Sequence, residues 1–408
     1  MTRKLEQKQQ QVGKKNPLTV PKIAHPEREK KEHKQQQVRT NNLSVTVKVV
    51  DKERWKYYVA LAVIVLISFI AYLPALKNGF VWDDAGYIIN NSLIHSINLK
   101  EIFSQYIVGN YHPITILTLA IEYHFFGLNE TVYHAVNLVF HLLNVILVFY
   151  TVFLLSDKVE VALVASLLFG VHPMHVESVV WVSELKDLLY TFFFLTSYVF
   201  YMKYLKNLQR KYFITALLLF FVSLLSKAMA VSLPFVLILS DYYKGRKMNI
   251  KTILEKVPFF LLAIAIGVVS ILAQKSTNAM QDISIFTFPQ RLIFACYGFI
   301  TYLIKLILPL HLSAFYAYPI KSGEDIPFLY YVYPILFISL IAFVFYSLRF
   351  SKKIFFGIGF FLITVFLVLQ LLPVGGTIMS DRYSYISSLG IFYLQVREFT
   401  YYVIKNLS

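Results

Sequence analysis

The run Tyr57–Leu76, YYVALAVIVLISFIAYLPAL, holds 20 residues without a charge. A helix needs about 20 apolar residues to cross the hydrocarbon of a bilayer, so this stretch reads as a membrane span, and it decides the fold class. Around it lie 408 residues that are 57% hydrophobic and only 15% charged, with 36 Phe and 29 Tyr. A water-soluble domain carries about 25% charged residues, so this chain lacks the polar surface to face water all round. Collagen, coiled coil and wholesale disorder are excluded. The single cysteine, Cys296, rules out an intramolecular disulfide framework, and its neighbours Phe294, Ala295 and Tyr297 mark it as a small buried hydrophobe.

The net charge of +16 points to nucleic acid only if it covers a folded surface, and it does not. From Met1 to Lys56 there are 15 Lys and Arg against 6 Asp and Glu, with the glutamine runs 9–11 and 35–37. That composition cannot bury a core and reads as a disordered, solvated cytoplasmic tail that helps fix orientation, ahead of a contact with anionic lipid or ribosomal RNA. No nucleic-acid partner is expected. The remainder, Tyr57 to Ser408, reads as one all-α polytopic membrane domain. No small-residue cleavage site follows the first span, which makes it a retained signal-anchor.

Basic segments stay on the cytoplasmic side, so the tail sets the orientation and the loop from Lys77 to Glu130 lies outside. Alternation then gives spans at Thr131–Leu155, Val159–Val171, Leu188–Tyr204, Tyr212–Ser226, Ala228–Tyr243, Val257–Gln274, Phe328–Leu348 and Ile354–Leu372, with a last helix from Ile386. The stretch Arg291–Leu310 breaks the charge alternation if it crosses, and it reads as re-entrant or interface-lying. The expectation is about ten or eleven spans.

With this threading the outer loops collect the polar residues. The first carries Trp82, Asp83, Asp84, Tyr87 and His112. The second carries His172, His175, Glu177, Glu184, Lys186 and Asp187, and later turns add Lys227, Asp381 and Arg382. Adjacent carboxylates repel, so burial can leave one of Asp83 and Asp84 as a proton acceptor; both also suit a helix cap. Arg382 grips phosphate in a two-pronged way or serves as a snorkelling anchor. His172, His175 and Glu177 are ligand types for a divalent metal, although Pro173 disrupts helical spacing between them and no HExxH pattern is present. The row His134, Asn137, His141, Asn144 shares one helix face, as a proton relay or as hydrogen-bonding glue between helices. No phosphate loop, dinucleotide fingerprint or nucleophile elbow occurs.

Four strings go further: YHPITILTLAIEYHFFGLN from Tyr111, HPMHVESVVWVSELKDLLYTFFFL from His172, SKAMAVSLPFVLILSDYY from Ser226 and MSDRYSYISSLG from Met379. In this order they resemble the membrane half of bacterial tetratricopeptide-repeat membrane proteins. They resemble equally that of the transmembrane-and-tetratricopeptide-repeat protein O-mannosyltransferases, which are C-type glycosyltransferases. The resemblance runs from Lys56 to Gly390. It implies a C-type glycosyltransferase bundle with a long first outer loop that moves a sugar, mannose first, from a polyprenyl or dolichyl phosphate to a protein or glycan hydroxyl on the non-cytoplasmic face. By this likeness Asp83 is the catalytic base and Asp84 orients acceptor or metal. Arg382, Lys186 and Lys227 hold the lipid phosphate, and Glu177, His112 and His175 complete the substrate site. The partners implied are the lipid-linked donor, membrane lipids and a separate tetratricopeptide-repeat chain. The membrane implied is a bacterial inner membrane, or the endoplasmic reticulum in a eukaryote. The sequence departs from the bacterial pattern at Leu185, where an arginine is usual, so one phosphate-binding cation is expected to be missing. A lipid-linked-sugar flippase and a non-catalytic membrane scaffold are the rival readings.

Overall fold

Polar side chains on one face of a 27-residue helix, Glu130–Ser156, tie this bundle together. The computed structural model describes residues 55–276, 285–321, 323–371 and 376–407. The basic tail thus lies almost wholly outside the described residues, as do 277–284 and 372–375 in two of the expected outer loops. The chain divides into Met1–Tyr58 and Val59–Ser408. Of the first unit, the described residues open a helix; all that follows concerns the second.

The long helices are α1 (Trp55–Lys77), α2 (Pro113–Phe126), α3 (Glu130–Ser156), α4 (Val159–Val171), α5 (Leu185–Asn207), α6 (Arg210–Ser226), α7 (Leu233–Tyr243), α8 (Val257–Ser276), α9 (Phe288–Ile307), α10 (Val332–Ser347), α11 (Lys352–Val365) and α12 (Ser388–Leu407). Two short antiparallel strands, β1 (Tyr316–Ala317) and β2 (Thr377–Met379), pair Tyr316 with Met379 and Ala317 with Thr377. The chain is an all-α polytopic membrane protein. Among the described residues, 5 helices are long and apolar enough to cross a membrane, and 6 if the pair Val159–Val171 and Pro173–Val180, bent by 54°, is one span. That is fewer than the spans expected from charge alternation. The others fall short for separate reasons. α6, α7 and α11 have 17, 11 and 14 residues, and α5 has the length but is diluted by Tyr190, Tyr198, Tyr201 and Tyr204.

These shorter helices still run between the same two ends of the bundle. Near one end α3 closes against α7 and α12, through Lys244 Nζ to the Leu155 carbonyl at 3.4 Å and Arg397 Nη1 to the Ser156 carbonyl at 3.1 Å. At the other end the start of α5, the ends of α8 and α11 and the approach to α12 surround one cavity. The helix α9 is the exception. Its Arg291 donates to the Leu371 carbonyl at 2.8 Å, Tyr302 to the Ser380 carbonyl at 2.9 Å and Lys305 to the His311 carbonyl at 2.7 Å. All three acceptors lie in the loops at the cavity end, so α9 lies along that end although it is long enough to cross.

Of the expected polar row of α3, Asn137, His141 and Asn144 are hydrogen-bonding glue, while His134 lines a cavity. Asn137 Nδ2 donates to the Trp181 carbonyl (3.0 Å) and Asn144 Nδ2 to the Leu188 carbonyl (3.0 Å). The ring of His141 joins the Tyr385 hydroxyl (2.8 Å) and the Gly170 carbonyl (3.0 Å). One helix face thereby fixes the second loop, α4, α5 and the start of α12. Away from water such bonds have no competitor, so they set register as well as stability. The backbones of α11 and α12 also touch: a Cβ on Gly357 would stand 2.7 Å from the Gly390 carbonyl oxygen. Gly357→Ala is therefore expected to destabilise the protein by about 1–3 kcal/mol, read as a lower unfolding temperature in detergent, while Gly267→Ala, with nothing within 4 Å, leaves it unchanged.

Candidate active site

The site starts from one buried carboxylate. Glu184, 1% exposed, sits in the 3₁₀ turn Val182–Glu184 just before α5. Its oxygens meet Lys186 Nζ at 2.9 Å, Lys227 Nζ at 3.4 Å and Arg382 Nε at 3.4 Å. These cations come from α5, the turn after α6 and the loop before α12. Burial alone would raise the Glu184 carboxyl, but Lys186, Lys227 and Arg382 hold it well below the usual carboxylate range. Lys227 also pairs with Asp187 at 2.5 Å, and Arg382 with Glu177. Aromatic faces complete the setting: Lys186 lies 4.8 Å from the Tyr87 ring centre, and Arg382 lies 5.2 Å from Trp181 and 4.9 Å from Tyr383.

The three cations line a cavity of about 510 Å³ together with Asp83, Tyr87, Asn110, His112, Gln274 and Tyr383. Asp83 is exposed in it. His112 is buried, with Nε2 3.2 Å from the Tyr87 hydroxyl. Burial, then Lys186 and Lys227, push its imidazole well below the ordinary value, so it is neutral at physiological pH. Asn110 donates to the Tyr87 hydroxyl at 3.0 Å and accepts from Gln274 at 2.9 Å, which joins the first loop to the end of α8. A second cavity of about 690 Å³, largely apolar, is lined by Trp82, His134, Glu177, Trp181, Ser313 and Asp381. Trp82 and Trp181 meet edge to face at 5.2 Å and border it. Trp82 has a left-handed backbone, φ 48°, costly for a bulky residue. It lets the Trp82 ring line one cavity while the next residue, Asp83, lines the other.

Several expected site residues are placed elsewhere. Asp84 is fully buried and faces neither cavity. Its Oδ2 accepts from the Val81 N–H at 2.8 Å, and Oδ1 accepts from the Ser183 N–H at 2.8 Å and from the Ser183 hydroxyl. It fastens the first loop to the second. His175 is buried too, its ring spent on the Phe169 carbonyl at 2.8 Å and the Ser388 hydroxyl at 3.1 Å. Glu177 holds Arg382 through the guanidinium and, at 3.0 Å, the Arg382 N–H. His172 takes the Met174 N–H on Nδ1 at 3.3 Å. His172, His175 and Glu177 thus each serve a different partner, and among the described residues no group of three His, Cys, Asp or Glu is placed to hold a metal. Leu185 is fully buried in the apolar cluster with Tyr87, Ile88, Leu119 and Tyr133. Its position turns away from the cations, so the absent arginine leaves no gap in the cavity wall. Sequence reasoning left Glu184 and Asp187 without a role; the signal was their place in the run Glu184, Lys186, Asp187, where one turn supplies both signs of charge.

No protein-family model matches the chain. Among curated proteins, a protein O-mannosyl-transferase of Caenorhabditis elegans is 32% identical over 158 residues, 35% of this chain and 23% of that protein. The protein O-mannosyl-transferase TMTC3 of Mus musculus is 34% identical over 154 residues, 35% of this chain and 17% of that protein. The matches span less than a quarter of each relative's length. Among solved structures, ArnT from Cupriavidus metallidurans bound to undecaprenyl phosphate has a TM-score of 0.49 and 13% identity, covering 84% of this chain and 60% of that one. The resemblance to O-mannosyltransferases read from the four strings is thus found again in the curated relatives.

Two outcomes follow from the geometry. Asp84→Ala strands two backbone N–H groups, each worth about 1–3 kcal/mol, and should lower the unfolding temperature in detergent, whereas Asp83→Ala should not. Asp381 is the second case: burial pushes its carboxyl up to about 6 from the ordinary 3.8. A carboxyl raised in the fold stabilises fully below its unfolded value, and the contribution is lost as pH rises through about 6. The difference in unfolding temperature between Asp381→Asn and the parent protein should therefore shift in favour of the variant between pH 4 and 7.

Proposed function

We propose that this chain is a membrane glycosyltransferase domain that moves a sugar, mannose first, from a polyprenyl or dolichyl phosphate to a hydroxyl acceptor, a protein Ser or Thr, on the non-cytoplasmic face. The observation that carries the reading is one cavity with an acidic side chain, Asp83, and three cations, Lys186, Lys227 and Arg382, from separate elements. A transfer from a lipid phosphate needs those two charges apart: a base for the incoming hydroxyl and cations for the departing phosphate. The curated relatives, named protein O-mannosyl-transferases, support the sugar and the acceptor class. Because the matches span only part of those proteins, a tetratricopeptide-repeat partner and the membrane concerned belong to the same proposal.

In this scheme Asp83 accepts the proton of the acceptor hydroxyl as its oxygen bonds to the anomeric carbon. The bond from that carbon to the phosphate oxygen breaks, and its electron pair leaves with the lipid phosphate. The cations meet that charge without being released from their carboxylates. Arg382 uses Nη1 on Glu177 and Nε on Glu184, and a guanidinium has five N–H donors, so Nη2 remains for a phosphate oxygen. Lys186 and Lys227 each keep part of their donor set in the same way. Donors already fixed by Glu184 need no reorganisation when charge develops, which is where such sites gain most. Asp84 and His175 act only by holding the loops.

Radiolabelled sugar transfer from polyprenyl-phosphate donors, in membranes containing the full chain, tests the reading. Asp83→Asn should cut transfer by about 10²–10⁴-fold, the worth of a general base, with donor binding unchanged. Arg382→Lys should recover part of the activity that Arg382→Ala loses, since lysine keeps the charge without the planar fork. Transfer by Asp83→Asn within a few-fold of the parent protein, or donor affinity unchanged in Arg382→Ala, overturns the assignment.

A further inference from the structure

The three cations of the cavity are ion-paired with three carboxylates: Lys186, Lys227 and Arg382 with Glu177, Glu184 and Asp187. The set is neutral when all six are ionised, and a lipid phosphate brings one more negative charge to it. Asp187 is the member that can answer. It sits in the first turn of α5 with its side chain 2% exposed, behind the cavity wall that Lys227 and Glu184 help to form. Its Oδ1 accepts from Lys227 at 2.5 Å, while Oδ2 is buried and finds no donor among the described residues. A carboxylate oxygen is costly to bury without a donor. A proton on Oδ2 removes that cost and turns it into a donor toward Glu184. The groups facing Asp187 are Glu184 from the turn before α5, Lys227 from the turn after α6, Arg382 from the loop before α12, and the hydroxyls of Tyr190 and Tyr385. Burial, against the pull of Lys227 and with the repulsion of Glu184, pushes the Asp187 carboxyl up from the ordinary 3.8 to about 7.

We infer that Asp187 takes up one proton as the donor's phosphate enters the cavity, so that Lys227 meets the phosphate with its charge no longer cancelled. The inference rests on the glycosyltransferase reading and adds a positioning residue to it. The proton comes from solvent and goes to Oδ2. Oδ1, then a carbonyl oxygen, still accepts from Lys227, which stays in place. The charges remain matched, because the phosphate takes the part that Asp187 gives up. Glu184 cannot play this part, since three cations hold it ionised. Asp187 acts through Lys227 and touches no substrate. A merely structural Asp187 would stay ionised on Lys227 at every pH, and no proton would be exchanged on binding.

The test is calorimetric binding of a polyprenyl phosphomannose, a phosphodiester whose single charge does not change with pH, to the purified full chain. In buffers of different ionisation heat at about pH 8, the parent protein should take up about one proton per donor bound, a measurement that needs no variant. Its affinity should fall about tenfold per pH unit above about 7, where the empty protein has lost the proton that the complex keeps, and level off below. Asp187→Asn, which has the shape of the protonated side chain, should bind with little dependence on pH and take up no proton. Asp381→Asn, which removes a carboxyl that titrates near pH 6, should retain the parent's slope above about pH 7. Binding by the parent protein without proton uptake, or a slope that survives in Asp187→Asn, overturns the inference and leaves the glycosyltransferase reading standing. No binding by the parent protein at any pH overturns both.

Discussion

Glu184 is the interaction on which the site depends. Three cations cannot share one partly dry cavity without a counter-charge, and this buried carboxylate supplies it from the centre. Each partner arrives on a different segment: Lys186 from the start of α5, Lys227 from the turn after α6, Arg382 from the loop before α12. The pairings therefore fix the relative positions of those segments as much as their electrostatics. A buried ion network of this kind adds little net stability over apolar packing, and breaking one partner is expensive. Its value lies in specifying one arrangement of loops, with donors left pointing into the cavity.

The adjacent acids, alike in sequence, are given opposite work by their surroundings. Asp84 is enclosed and accepts from Val81 and Ser183, which joins the two loops. Asp83 remains exposed in the cavity. Just before them the backbone of Trp82, left-handed in a residue that avoids that region, turns the Trp82 ring away from Asp83. The strain is held by the Asp84 bonds on one side and by the contact of Trp82 with Trp181 on the other. Strain of this kind persists only where the surroundings over-determine it, and here it directs consecutive residues into two cavities.

The far end of the bundle uses the same chemistry for support. Asp241, with no exposed surface, pairs with Lys256 and, at 3.2 Å, with Arg246, and Tyr201 donates to it at 2.8 Å. Glu255 accepts from Arg246 at 2.9 Å. These bonds close α5, α7 and α8 together opposite the site. Between the two ends the helices meet mainly through apolar and aromatic packing, joined by the polar row of α3 and by bonds of α5 to its neighbours, such as Ser197 to the Ala216 carbonyl and Tyr198 with Ser240.

The sequence by itself determined the class of the molecule and the course of most helices. Hydrocarbon thickness demands long apolar runs, and those runs can be read directly, as at Tyr57–Leu76 and Val257–Gln274. It also put Asp83, Lys186, Lys227 and Arg382 forward, because charges beside apolar segments stand out and the four strings resemble a known family. Tertiary structure decided the rest. Spacing cannot tell that Asp84 and His175 are consumed by internal hydrogen bonds, since their partners Ser183 and Ser388 lie 99 and 213 residues away. Nor can it make Glu184 the hub, because a carboxylate's role depends on which cations reach it. His172, His175 and Glu177 make the same point: local sequence gives ligand types, whereas coordination needs them to point at one place, and in the described residues they take separate partners. Leu185 reverses the lesson, for a departure that looked like a missing cation faces an apolar cluster, and only the packing of α5 against the first loop reveals which way it turns.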